Sequence, residues 1–247
     1  MATFAERLVA HRGYAARYPE NTLKAVREAL EAGARFVEVD IQLTADREPV
    51  LFHDGTLQRL CGEPGAIHCM KAERLAALRS HYPGRFGLRF TDEPIARLAQ
   101  LTELILANPA AEFFIELKPE AIGHFGRDEV LQAVTAELEP CRRQCILISY
   151  DREILRLAAA AGWRIGAVEK RWPSPGDRQY RSLAPEFLFV DFRDLPNGSL
   201  KLDGVRLAVF EVAEPGLARA LMARGVELVE TFEIGEMRRA LTRNASP

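Results

Sequence analysis

Phe36-Val37-Glu38-Val39-Asp40-Ile41 alternates apolar residues with carboxylates, and that alternation decides the fold. Residues two apart on a strand share a face, so Glu38 and Asp40 point one way while Val37, Val39 and Ile41 point the other. In a closed parallel barrel the apolar set packs on surrounding helices, and the two acids face inward near the strand's C-terminal end. Ile115-Glu116-Leu117-Lys118 repeats the pattern, with Glu116 and Lys118 facing in.

Working outward, seven further β-branched runs alternate with amphipathic helical stretches. The eight expected strands are Leu8–His11, Phe36–Ile41, Phe113–Lys118, Cys145–Ser149, Arg164–Val168, Phe187–Asp191, Leu207–Val212 and Glu227–Thr231. Helical patterns end at Gly33, Gly162 and Gly225, glycine being the common residue just past a helix C-terminus. Eight strands with helices between them in 247 residues is the arithmetic of an α/β fold of the (β/α)8 TIM-barrel type. No glycine-rich dinucleotide turn follows the first strand, which argues against a doubly wound sheet. Pro49–His53 follows the second strand too closely for a parallel crossover and reads as an extra hairpin strand. With a turn centred near Asp46 and Arg47, Asp40 and His53 are expected to lie opposite each other. Residues 54–94 read as a small insertion over the C-terminal mouth, with one short helix from Lys71 to Leu78. The whole of 1–247 then forms a single barrel domain, frayed from Thr242 to Pro247.

Composition narrows the function. With 33 basic and 35 acidic residues, the net charge of −2 implies no broad nucleic-acid surface. No apolar run approaches a membrane span, and Met1–Arg7 lacks the core of a signal peptide, so no stable membrane anchor is expected. Cys61, Cys69, Cys141 and Cys145 fit no zinc spacing with nearby histidines except loosely through His68, and are expected as reduced thiols in a cytoplasmic protein. The oligomeric state is not legible.

The chemistry lies at the strand ends. Three inward carboxylates, Glu38, Asp40 and Glu116, repel one another unless a cation compensates, and hard oxygen donors favour Mg²⁺ or Ca²⁺. The competing structural reading is an ion-pair network with Lys118 and Arg12. His11 ends the first strand and His53 ends the hairpin. Phosphodiester cleavage needs a base, an acid and positive charge on the non-bridging oxygens; two imidazoles, a divalent cation, Arg12 and Lys118 supply them.

The combination His11-Arg12-Gly13, Pro19-Glu20-Asn21-Thr22, Glu38-x-Asp40, His53-Asp54 and Glu116-x-Lys118 resembles the glycerophosphodiester phosphodiesterase family. The resemblance implies a (β/α)8 barrel with an insertion after the His-Asp motif. It implies His11 and His53 as the acid/base pair, Glu38, Asp40 and Glu116 as metal ligands, and Arg12 and Lys118 as phosphate contacts. It implies too that the Glu20-Asn21 segment braces the mouth from behind, and Asn21 or Thr22 is expected to cap the following helix. Arg59 is assigned no chemistry beyond steadying the insertion by ion pairing.

The C-terminal half departs from the family. An aromatic-Thr-Val-Asn run is replaced by Phe210-Glu211-Val212-Ala213, and a terminal Thr-Asp by Thr231-Phe232. Phe210 and Glu211 are therefore candidate pocket residues. Glu169, Asp191, Glu211 and Glu230 either make the pocket acidic, favouring a cationic or polyhydroxyl headgroup, or pair with arginines such as Arg171 and Arg193. The expected reaction is hydrolysis of a small-molecule glycerophosphodiester to glycerol 3-phosphate and an alcohol. Alternatives are a barrel phosphodiesterase for lysophospholipids, with an apolar rim from Leu57, Leu60, Tyr82, Phe86, Leu88 and Phe90, although those residues are expected rather as the insertion's own small core, and a non-catalytic phosphodiester-binding barrel.

Overall fold

The computed structural model describes residues 3–174, 177–200, 202 and 204–243. Among the described residues nine strands form: β1 (Leu8–Ala10), β2 (Phe36–Leu43), β3 (Pro49–Leu51), β4 (Glu112–Leu117), β5 (Cys145–Ser149), β6 (Arg164–Glu169), β7 (Phe187–Asp191), β8 (Arg206–Phe210) and β9 (Leu228–Thr231). Eight pair in parallel around a closed ring, sealed where β1 pairs with both β9 and β2, while β3 is antiparallel to β2 on the outside. This is the expected (β/α)8 TIM barrel with its extra strand.

The alternation sorts the core into two layers. Val37, Val39, Ile41, Ile115 and Leu117 lie in the shell between strands and helices. Val9, Phe36, Phe114, Ile146, Phe187 and Phe189 fill the barrel itself. Phe114 meets Phe187 and Phe189 edge-on, each with ring centroids 4.9 Å apart. Such contacts favour the positive ring edge on the negative face. An aromatic plug therefore floors the barrel, and the polar residues of the same inward rows form the layer above it.

The hairpin differs from expectation by one residue. Ile41 pairs with Leu51 and Leu43 with Pro49, so Asp40 faces Phe52, whose N–H donates to the Asp40 carbonyl at 2.9 Å. The reason is a three-residue loop, Ala45-Asp46-Arg47, closed by Thr44 N–H donating to Glu48 O at 3.1 Å. Arg47 takes the left-handed conformation (φ 66°) that such loops need at their third position.

Between β3 and β4 the chain makes short helices at Gln58–Cys61, Ala72–Leu75 and Pro83–Phe86, so the helix expected over Lys71–Leu78 is shorter. Leu57, Leu60, Ile67 and Leu75 are buried there with Phe52 and Ile95. Leu57 and Leu60 therefore belong to the insertion's own core and not to an apolar rim. Leu88 is 91% exposed. At the C-terminus Thr242 lies in the helix Ile234–Arg243, and residues 244–247 of the expected frayed end fall outside the described residues. All four cysteines are free thiols. No helix among the described residues is long and apolar enough to cross a membrane.

Candidate active site

The site begins with a turn. After β1, Arg12 (φ 55°) and Gly13 (φ 76°) both adopt left-handed backbone, reversing the chain directly above the barrel. A Cβ on Gly13 would stand 2.6 Å from the Ala25 carbonyl carbon and 2.8 Å from Val26 N, so only glycine lets the turn rest on the helix Leu23–Glu31. That helix is capped by Thr22, whose hydroxyl accepts from Ala25 N–H at 3.1 Å. Asn21 does something else. Its Nδ2 donates to Asp40 Oδ2 at 2.8 Å, and its Oδ1 accepts from the Asp40 backbone N–H at 3.0 Å. The capping role considered for Asn21 belongs to Thr22 alone.

Glu38, Asp40 and Glu116 are all at least nine-tenths buried, and one carboxylate oxygen of each lies within 4.8 Å of the others. The ion-pair network forms around the same acids. Lys118 Nζ is 3.1 Å from Asp40 Oδ1 and 3.0 Å from Glu116 Oε1, and Arg12 Nε is 3.2 Å from Asp40 Oδ2. Glu38 accepts from the Arg12 backbone N–H at 3.0 Å, and its Oε1 is buried without a partner among the described residues. Burial raises the Asp40 carboxyl, but Lys118 and then Arg12 overcome it and hold Asp40 below its ordinary range. Burial, then Asp40 and Glu230, push Glu38 well above it. Glu116 is also raised by burial, against the pull of Lys118. Two basic side chains therefore do not neutralise the cluster. Buried oxygens, an orphaned Glu38 Oε1 and unrelieved repulsion fit a hard divalent cation.

His11 and His53 meet at one pocket of about 180 Å³, lined also by Arg12, Glu38, Glu116, Lys118, Phe210, Glu211 and Glu230. His11 stacks on Phe232, with ring centroids 4.4 Å apart and planes 8° from parallel. Its Nε2 stands 3.8 Å from Glu38 Oε2, and burial together with the Arg12 charge lowers its pKa well below the usual histidine value. His53 Nδ1 lies 2.7 Å from Asp54 Oδ1. Arg59 then holds Asp54 through two contacts at 2.7 and 2.8 Å, and reaches Glu20 at 2.8 and 2.9 Å. Glu20 closes the chain onto Arg12 Nη1 at 2.8 Å. Arg59 thus links the insertion and both histidine loops, a larger role than its sequence position suggested.

The four acids of the later strands divide. Glu169 pairs with Arg152 at 2.6 Å, not with Arg171, and Asp191 and Glu211 share Arg193. Arginines thus neutralise three of them, and only Glu230 stays buried with an unpartnered oxygen. Asp54 and Phe232 are the residues whose contribution sequence reasoning missed. The signal for Phe232 was inward alternation continued past β9, through Leu228 and Glu230.

Comparison with known proteins agrees with this geometry. A glycerophosphodiester phosphodiesterase of Caldanaerobacter subterraneus is 29% identical over 237 residues, 91% of this chain and 93% of that protein. Human glycerophosphodiester phosphodiesterase 1 is 25% identical over 90% of this chain and 70% of its own length. The same fold is seen in an Oleispira antarctica phosphodiesterase solved with its product sn-glycerol-3-phosphate. Its TM-score is 0.84 at 23% identity, covering 96% of each chain. The profile of the glycerophosphoryl diester phosphodiesterase family matches residues 11–150, more than half of the sequence and every residue of the acid cluster and histidine pair. The chain belongs to that family, and is a phosphoric diester hydrolase.

Proposed function

We propose that this chain hydrolyses glycerophosphodiesters to glycerol 3-phosphate and an alcohol. Glu38, Asp40 and Glu116 hold a divalent cation, Mg²⁺ or Ca²⁺, and His11 and His53 transfer the protons. The observation that carries the reading is the convergence of both imidazoles and the acid cluster on one pocket.

A divalent cation held by Glu38, Asp40 and Glu116 would supply positive charge for the non-bridging phosphate oxygens. Arg12 and Lys118 add fixed positive charge from the protein side, and because both are held by carboxylates they need little reorganisation. Burial and the Arg12 charge lower the His11 pKa and favour the neutral ring, and His11 is assigned to take the proton of the attacking oxygen. Asp54 accepts from Nδ1–H of His53 and stabilises the ring when it carries a second proton on its other nitrogen, the proton that passes to the leaving alkoxide. The four free thiols suit a reducing compartment, and we extend the proposal to a cytoplasmic enzyme.

The test is a coupled assay for glycerol 3-phosphate with glycerophosphocholine and glycerophosphoethanolamine, before and after prolonged EDTA treatment and after metal restoration. Turnover that chelation abolishes and the cation restores is the expected result. Full turnover in exhaustively stripped protein refutes the cation's role, and no release from either substrate refutes the reaction.

A further inference from the structure

Glu230 is the one acid of the pocket without an assigned partner. It lies on β9 in register with Val9 of β1, a residue of the barrel interior, so its side chain points inward at the level where His11 emerges. It is 3% exposed, and its Oε1 is buried with no hydrogen-bond partner among the described residues. The family match ends at residue 150 and assigns Glu230 nothing.

Its position limits what it can bind. A carboxylate oxygen of Glu230 lies within 4.8 Å of His11 and Glu38, but Glu230 forms no such group with Asp40 and Glu116. It therefore stands on the histidine side of the pocket, away from the centre of the main acid cluster. Glu38 is an acceptor, like Glu230, and His11 is committed to proton transfer. The phosphoryl oxygens of a diester are acceptors as well. A hydrogen-bond donor that enters with the substrate would satisfy the Glu230 oxygen, and on a glycerophosphodiester the donors beside the phosphate are the glycerol hydroxyls. Phe189 and Phe210 line the same pocket and offer apolar faces for the glycerol carbons.

We propose that Glu230 is a specificity-determining residue whose free carboxylate oxygen accepts a hydrogen bond from a hydroxyl of the substrate's glycerol, so that the pocket selects phosphodiesters of a polyol. The inference rests on the glycerophosphodiester reading above. Such a contact also retains glycerol 3-phosphate relative to inorganic phosphate, which binding measures without turnover.

The experiment compares affinities for sn-glycerol 3-phosphate and inorganic phosphate by calorimetry on the full chain with Mn²⁺ supplied. Wild type, Glu230→Gln and Glu230→Leu are compared, with Mn²⁺ stoichiometry measured for each by equilibrium dialysis. Glu230→Leu is expected to weaken glycerol 3-phosphate by about tenfold or more, the scale of a lost hydrogen bond to a charged group. Inorganic phosphate should stay within about twofold, well under one decade of affinity. Glu230→Gln, which keeps an acceptor oxygen, should lose less. Equal loss for both ligands, an undiminished preference for glycerol 3-phosphate in Glu230→Leu, or a fall in bound Mn²⁺ overturns the proposal, the last by assigning the oxygen to a cation. Hydrolysis is assayed on the same samples. An active enzyme whose preference survives Glu230→Leu loses only this inference. An inactive wild type whose preference disappears in Glu230→Leu keeps it and loses the reaction.

Discussion

Asn21 and Asp40 hold each other at two points: the Asn21 amide donates to the Asp40 carboxylate at 2.8 Å and accepts from the Asp40 backbone at 3.0 Å. The pair fixes the orientation of a carboxylate that three charged or polar groups share. Asn21 sits at φ 57°, a left-handed conformation that asparagine tolerates better than most residues. Asn21→Ala is therefore expected to strain the turn by about 1–2 kcal/mol and to lower cation affinity by about 10- to 100-fold. Asn21→Gly should relieve the strain but not restore affinity. Thermal melts and metal titration separate the two effects, and unchanged affinity in both variants would dismiss the clamp.

Removal of either imidazole tests proton transfer. His11→Ala and His53→Ala are each expected to lower kcat by about 10²-fold or more. Because Phe232 stacks on His11, His11→Ala also opens a gap, and His11→Asn serves as a smaller change. Wild-type rates in either position's variants would remove that histidine from the mechanism.

The acid cluster predicts how cation binding depends on pH. Glu38 and Glu116 have carboxyl pKa values raised by burial, so in the ion-free protein they retain protons at higher pH than ordinary carboxyls. Cation binding must displace those protons, and apparent affinity should therefore rise with pH and fall on acidification. Calorimetry in buffers of different ionisation heat should register proton release. Affinity that is flat between about pH 5 and 8 and releases no protons would contradict the raised values.

Arg59 bridges Glu20 and Asp54, and both contacts are only partly covered because the Arg59 side chain is 33% exposed. Breaking a fully buried pair costs about 3–5 kcal/mol; discounted for solvent and for the remaining Arg12 contact, Arg59→Ala should cost about 1–3 kcal/mol. Burial raises the Glu20 carboxyl, but Arg59 and Arg12 bring it below its ordinary value. The stability it contributes is complete above the unfolded carboxyl pKa and is lost as pH falls through the lower folded value. Arg59→Ala should shrink that acid-sensitive component, and denaturant unfolding at several pH values checks it.

Gly13→Ala places a methyl against the backbone of the helix Leu23–Glu31 in a conformation disfavoured for L-residues. The left-handed backbone alone costs about 1–2 kcal/mol, and the clash adds to it. The expected outcome is a lower Tm together with lost activity, since His11 and Arg12 leave the same turn. A fully stable and active variant would show that the turn tolerates displacement.

Alternation along β2 and β4 fixed from sequence alone which side chains face the barrel interior, because a strand's two faces are set by a period of two whatever lies beside it. Glu38, Asp40, Glu116 and Lys118 were legible for that reason, and His11 and His53 because they end apolar runs. Ring closure is different in kind. It lays β9 against β1 across more than two hundred residues, bringing Phe232 onto His11 and Glu230 beside Glu38. The Arg59 bridge, the choice of Arg152 over Arg171 and the one-residue hairpin shift were likewise decided in three dimensions. Long arginines can satisfy several acids, and a loop's backbone conformation sets strand register; neither choice is written in local sequence periodicity.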